Sequence, residues 1–140
     1  MNAFSAMFQR HTRGNNEIQD ITEDLRKIVE KSGVRIGQLT AMVIGSTASL
    51  STLEFEPGLA KHDVAAALET IAPADGHYEH ENTWHDDNGH SHVCACLLGP
   101  SLALPVVDGG LPLGTWQQAV LIDFDTRPRH RDIAVTVVGI

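Results

Sequence analysis

Cysteine is scarce in this chain: the 140 residues include two, Cys94 and Cys96. Two are too few for a disulfide framework, and a reducing cytoplasmic setting is the expectation. Basic charge is also short, with ten Lys and Arg against eighteen Asp and Glu and a net charge of -8. That balance argues against a nucleic-acid or anionic-membrane partner, because phosphates attract Lys and Arg. No apolar run approaches the roughly 20 residues that a membrane span needs, and Met1–Arg13 lacks the apolar stretch of a cleaved leader. There is no Gly-rich loop ending in Gly-Lys-Ser/Thr, so no nucleotide-type phosphate cradle is foreseen. Repeats and low-complexity linkers are missing too, so residues 1–140 read as one domain.

Histidine, by contrast, is abundant. Five of the eight (His77, His80, His85, His90 and His92) fall between positions 77 and 92, among several acids. The flanking pattern predicts an N-terminal hairpin turning at Gly14-Asn15-Asn16. A helix follows, opened by Asp20-Ile21-Thr22-Glu23 as a capping box and closed by Gly33. Gln38–Ile44 and Ser46–Phe55 read as extended. A second helix starts at Pro57-Gly58 and stops at Pro73. After the long loop 74–89, strands are predicted near His92–Leu98, Trp116–Phe124 and Ile133–Val138. Two helices with six or seven strands predict an α+β fold, a mainly antiparallel sheet with both helices on one face.

Imidazole and carboxylate are ligands for first-row divalent ions. On an extended chain His90 and His92 would share a face about 6.6 Å apart and could meet one ion. Cys94 could then join His92, whereas Cys96 would lie roughly 13 Å from it. Trp116 reads as core packing.

The segments Leu53-Glu54-Phe55-Glu56-Pro57-Gly58-Leu59, Tyr78-Glu79-His80, Asp86-Asp87-Asn88-Gly89-His90-Ser91-His92, Leu98-Gly99-Pro100-Ser101 and Gly114-Thr115-Trp116-Gln117-Gln118 resemble the YjbQ family in order and spacing. The resemblance implies a small α+β subunit that assembles as a homotrimer and acts as a secondary thiamine-phosphate synthase. Such an enzyme would join a pyrimidine methyl diphosphate to a thiazole phosphate with the help of a divalent metal. By position, His80 and His92 would be the first metal ligands and Asp87 and His90 the second choices. Glu54, Glu56 and Asp63 match acids near the start of the second helix, candidate partners of metal or substrate, and Gln117 reads either as a contact to a polar ligand or as a buried amide satisfied by backbone. Nitrogen ligands favour Zn²⁺, while a diphosphate leaving group is ordinarily served by Mg²⁺, so the ion stays open.

Two departures bear on the chemistry. Gly45 stands where many relatives have His, and Cys94 and Cys96 stand where many have a basic residue and Ser. A thiol cannot clamp a diphosphate as Arg would. If Cys94 lies on the site face, Cys94→Arg should raise synthase activity; if it packs in the core, Arg should destabilise the fold. The alternatives to a synthase are a metal-dependent hydrolase or lyase on a small molecule, with Glu54, Glu56 or Asp63 as base, and a non-catalytic metal or small-ligand binding protein.

Overall fold

The computed structural model describes residues Met1–Ile140. Seven strands and four helices run in the order β1 (Asn2–Thr12), β2 (Glu17–Asp20), α1 (Thr22–Ser32), β3 (Gly37–Val43), β4 (Ala48–Leu53), α2 (Val64–Ile71), α3 (His80–Trp84), α4 (Gly89–Leu98), β5 (Ser101–Val106), β6 (Gln118–Asp123) and β7 (Arg129–Gly139). A π-helical turn, Leu59–Asp63, leads into α2. All strand pairs are antiparallel, in a four-stranded sheet β1-β7-β3-β5 and a three-stranded sheet β2-β6-β4. The α+β single domain is as the sequence predicts. No helix is long and apolar enough to cross a membrane.

Strand β6 explains the layering. Its residues are almost wholly buried, so both faces must be covered. Ala119 and Leu121 face a core shared with α1 and the four-stranded sheet. Val120, Ile122 and the following Phe124 face a smaller core with Leu68 of α2 and with Cys94 and Ala95 of α4. The two predicted helices therefore lie on opposite faces of the three-stranded sheet, and α4 joins α2 on the outer one. Beyond the main core, the outer face of the four-stranded sheet has no helix over it. It presents Met7, Met42 and Val138 among short polar side chains.

Five local expectations change, the first being the loop 74–89, which carries helix α3. The turn at Gly14-Asn15-Asn16 forms, with both asparagines at positive φ, but it makes no hairpin. β1 leaves to pair with β7 along its whole length, and β2 pairs with β6. At the start of α1 Asp20 accepts from the Thr22 amide at 2.9 Å, while Ile21 holds the capping position with no side-chain bond. A strand went unforeseen: β5 carries Pro105, which its edge position tolerates because it pairs with β3 alone. Lastly, the predicted strand at His92–Leu98 is helix α4. Ser91, Cys94 and Ala95 are its buried face, a helical spacing of small side chains that lets the helix lie close on the sheet. Gly99, at φ 85, ends it.

Candidate functional site

Helix geometry rearranges the residues around His92. Positions 90 and 92 now point about 200° apart, so His90 and His92 cannot meet one ion as neighbours on a strand. His90 turns inward; its ring centroid lies 6.3 Å from that of Tyr78, and its buried Nδ1 has no partner. Cys94 follows it one turn later and is 2 % exposed. Burial pushes the Cys94 thiol up, so it stays protonated. The expectation that Cys94 joins His92 is thereby overturned. Cys96, which strand spacing had set apart, sits one turn beyond His92 on the same helix face. Both border a cavity of about 420 Å³ with Gly45, Ser46, Ala48 and Pro100.

His80, at the start of α3, completes a pair with His92: their ring centroids are 4.4 Å apart and the planes tilt by 53°. Asp86 reaches Nε2 of His80 at 3.3 Å. Asn88, buried between Asp86 and Asp125, donates to Asp86 at 2.9 Å when its amide nitrogen faces that way. Burial and the neighbouring His80 push the His92 pKa down, against the opposing pull of Asp125, Asp86 and the Ser46 carbonyl. His92 is therefore a neutral imidazole at neutral pH, available as a base or as a metal ligand. Asp86 was missed in the sequence because Asp87 beside it is equally acidic, and only the turn after α3 decides which one faces inward. Asp87 faces out instead, accepting from Thr126 Oγ1 at 2.8 Å and lying 3.5 Å from Arg127. The Thr126 bond holds its carboxyl below the usual range.

The other predicted residues lie elsewhere. In the β4–β6 register Ala48 pairs with Asp123 at the histidine end, and Leu53 with Gln118 at the other. Five residue steps separate these ends by about 17 Å. Glu54, Glu56 and Gln117 belong to the far end. There Glu56 accepts from the amides of Gly58 and Leu59 at 2.8 Å and 2.5 Å and so opens the π-helical turn. Gln117 braces its own loop, donating to Thr52 Oγ1 and accepting from Gly114, both at 3.1 Å. Asp63 is exposed and paired with His62 at 2.8 Å. Trp116, expected in the core, is 73 % exposed. No three His, Cys, Asp or Glu side chains converge to hold an ion by themselves. What the chain builds is an imidazole pair with one positioning carboxylate.

This arrangement sits in a recognisable scaffold. The family model "UPF0047 protein YjbQ-like" matches residues 6–140. The chain belongs to the YjbQ family. A UPF0047 protein of Methanothermobacter thermautotrophicus is 35% identical to it, over 99% of this chain and 94% of the relative. Another from Archaeoglobus fulgidus is 36% identical, over 85% of this chain and 89% of the relative. Among solved structures, a YbjQ-like protein of unknown function from Sulfolobus solfataricus superposes with a TM-score of 0.87. It is 31% identical, with 99% of each chain covered. A YjbQ/UPF0047 protein from Clostridium acetobutylicum gives 0.86 at 30% identity, covering 95% of this chain and 99% of that one. The fold is therefore shared with these two structures over nearly the whole chain.

Proposed function

We propose that this YjbQ-family protein is a small-molecule enzyme of the secondary thiamine-phosphate synthase type, working at the His80–His92 pair. The observation that carries the proposal is that pair, two rings 4.4 Å apart with His92 beside an open cavity. His80 and His92 are the residues that would hold a divalent ion. Such an ion would neutralise the charge on a departing diphosphate. Two protein ligands leave coordination positions for substrate and water, which suits a catalytic site better than a closed structural one. Asp86 fixes the ring of His80. Glu54, Glu56 and Gln117, at the other end of β4 and β6 from the pair within one subunit, and Asp63, exposed and paired with His62, are given no part in it there.

The lowered pKa of His92 favours a second reading, a hydrolase or lyase in which His92 takes a proton from water or substrate. A homotrimer is proposed as the working assembly. One assay separates the readings: pyrimidine methyl diphosphate and thiazole phosphate are supplied to the wild type, His80→Ala and His92→Ala, and metal content is measured alongside. The synthase reading expects coupled product from the wild type, abolished by chelation, with ion and product lost in both variants. Equal metal content in all three proteins, or no coupled product from metal-loaded wild type, would refute it.

A further inference from the structure

Arg131 enters this region from β7 and is 6 % exposed. Its Nε and Nη2 grip Asp123 at 2.6 Å and 2.9 Å, and Nη2 also donates to Thr47 Oγ1 at 2.6 Å. Nη1 has no acceptor in the chain, yet it is not sealed from solvent. The one sealed side-chain nitrogen or oxygen without a partner is Nδ1 of His90. Buried guanidinium groups seldom leave a corner idle. This corner lies against Gly45, 2.6 Å from where a Cβ would stand. At φ +128, Gly45 also holds a backbone conformation that residues with a side chain rarely adopt. The missing side chain is what lets the guanidinium reach the loop.

The loop supplies further donors. The Ile44 amide bonds to Asp132 and the Thr47 carbonyl accepts from Phe124, but the amides of Gly45, Ser46 and Thr47 have no acceptor in the chain. Successive unpaired amides beside a guanidinium supply several N–H donors for an anion. Gly45 and Ser46 border the same cavity as His92. Two of the three neighbouring carboxylates are matched by arginines, and the third, Asp86, is held by hydrogen bonds. Asp123 is matched by Arg131, Asp125 lies 3.0 Å from Arg129, and Asp86 is engaged by His80 and Asn88.

We propose that Arg131 Nη1 and the amides of Gly45, Ser46 and Thr47 form an oxyanion site that takes a phosphate group of the substrate beside the His80–His92 pair. It deepens the synthase reading, on which its choice of substrate rests, by naming what holds the diphosphate in a chain whose position 94 is a buried thiol. Gly45 then has a use of its own: it opens the guanidinium to the ligand.

The test uses the full chain, stripped of metal by chelation and titrated with inorganic phosphate and with pyrophosphate. Amide resonances and calorimetry report the binding. The expected result is a saturable shift of the Gly45, Ser46 and Thr47 amides. Arg131→Lys keeps a cation for Asp123 but loses the fork, and should weaken binding roughly ten- to a hundredfold, the worth of one charge-assisted hydrogen bond. Gly45→Ala, which sets a methyl against Nη1, should act in the same direction. Lys61→Ala, on the exposed π-helical turn, should bind as the wild type does. Thermal melts identify which variants are folded. Shifts confined to other residues, or folded variants of Arg131 and Gly45 with wild-type affinity, overturn the site. Phosphate binding at this loop without synthase activity removes the synthase reading alone. Activity with phosphate binding unmoved by both substitutions removes this proposal alone.

Discussion

At the residue scale, the two cysteines show how far chemistry depends on a single rotation. Cys94 and Cys96 differ by two positions on α4, and one is sealed in the smaller core while the other borders the cavity. A thiol with its pKa pushed up by burial and no access to reagent is inert, whereas an exposed one reacts. Iodoacetamide at neutral pH should therefore label Cys96 and leave Cys94 intact until the protein is denatured; peptide mass mapping reads the difference. The same placement settles the direction of Cys94→Arg. A guanidinium forced among Ile18, Leu68 and Phe124 loses its water and overfills a packed core, so the variant should melt well below the wild type and gain no activity. A folded Cys94→Arg protein with wild-type stability would contradict this packing. Both consequences were posed by the sequence, and only the period of the element carrying them chose between them.

At the element scale, the two sheets are tied by charge as well as by apolar contact. Arg131 of β7 meets Asp123 at the end of β6 in a two-bond fork, and Thr12 of β1 adds a 2.6 Å bond to the same carboxylate. Asp125, just beyond, is also buried. Burial alone would raise its pKa, but the Thr47 hydroxyl, the Thr126 amide and Arg129 outweigh that and hold the carboxyl below its usual value. These bonds tie Thr47, next to the cavity residues Ser46 and Ala48, and Asn88, at the start of α4, to the same carboxylate, so the network links the loop after β3 to the helix that carries His92. Arg131→Met should cost about 3–5 kcal/mol, because Asp123 is left buried and unpaired. Adding Asp123→Leu should restore most of the loss, since an apolar pair of similar volume avoids the desolvation cost. Urea denaturation of the two single variants and the double variant measures the cycle. Additive losses would show that the fork is not the tie between sheets.

At the scale of the whole molecule, the uncovered sheet is the outstanding feature. Helices α2 and α4 cover the outer face of the three-stranded sheet, while Met7, Met42 and Val138 stay exposed on the other. The largest hollow, about 580 Å³, borders this face near Met1, Ile36, Thr136 and Val138 and contains no acidic, basic or thiol side chain. It carries no reactive group, and a sheet face left without a helix, with Met7, Met42 and Val138 exposed on it, is suited to burial against another chain. The proposed homotrimer supplies that cover. Sedimentation at tens of micromolar, a range of about the weakest stable assemblies, should show a species larger than one chain. Met42→Glu together with Thr136→Glu, two outward positions on adjacent strands, should shift it toward the monomer without lowering the helix and strand content. A monomeric wild type would leave the face without the partner proposed for it.

Much of this protein is determined by the sequence alone. The α+β class, the helix ended by Gly33, the second helix bounded by Pro57 and Pro73, and the crowding of histidines between positions 77 and 92 follow from local patterns and composition. Those signals are local in origin: a left-handed cap, a proline stop, a cluster of one residue type. Other features are decided only by tertiary structure. Strand-forming side chains such as Val93 lie in a helix because Ser91, Cys94 and Ala95 are small enough to dock it on β4 and β6. β1 abandons the nearby β2 for β7, more than a hundred residues away, where its inward side chains Phe4, Ala6 and Phe8 pack against the main core. Asp86 rather than Asp87 meets His80, and Arg131 reaches Gly45, through contacts between segments distant in the chain. Pairing register and side-chain convergence are sums over such distant partners, and no window of neighbouring residues contains them.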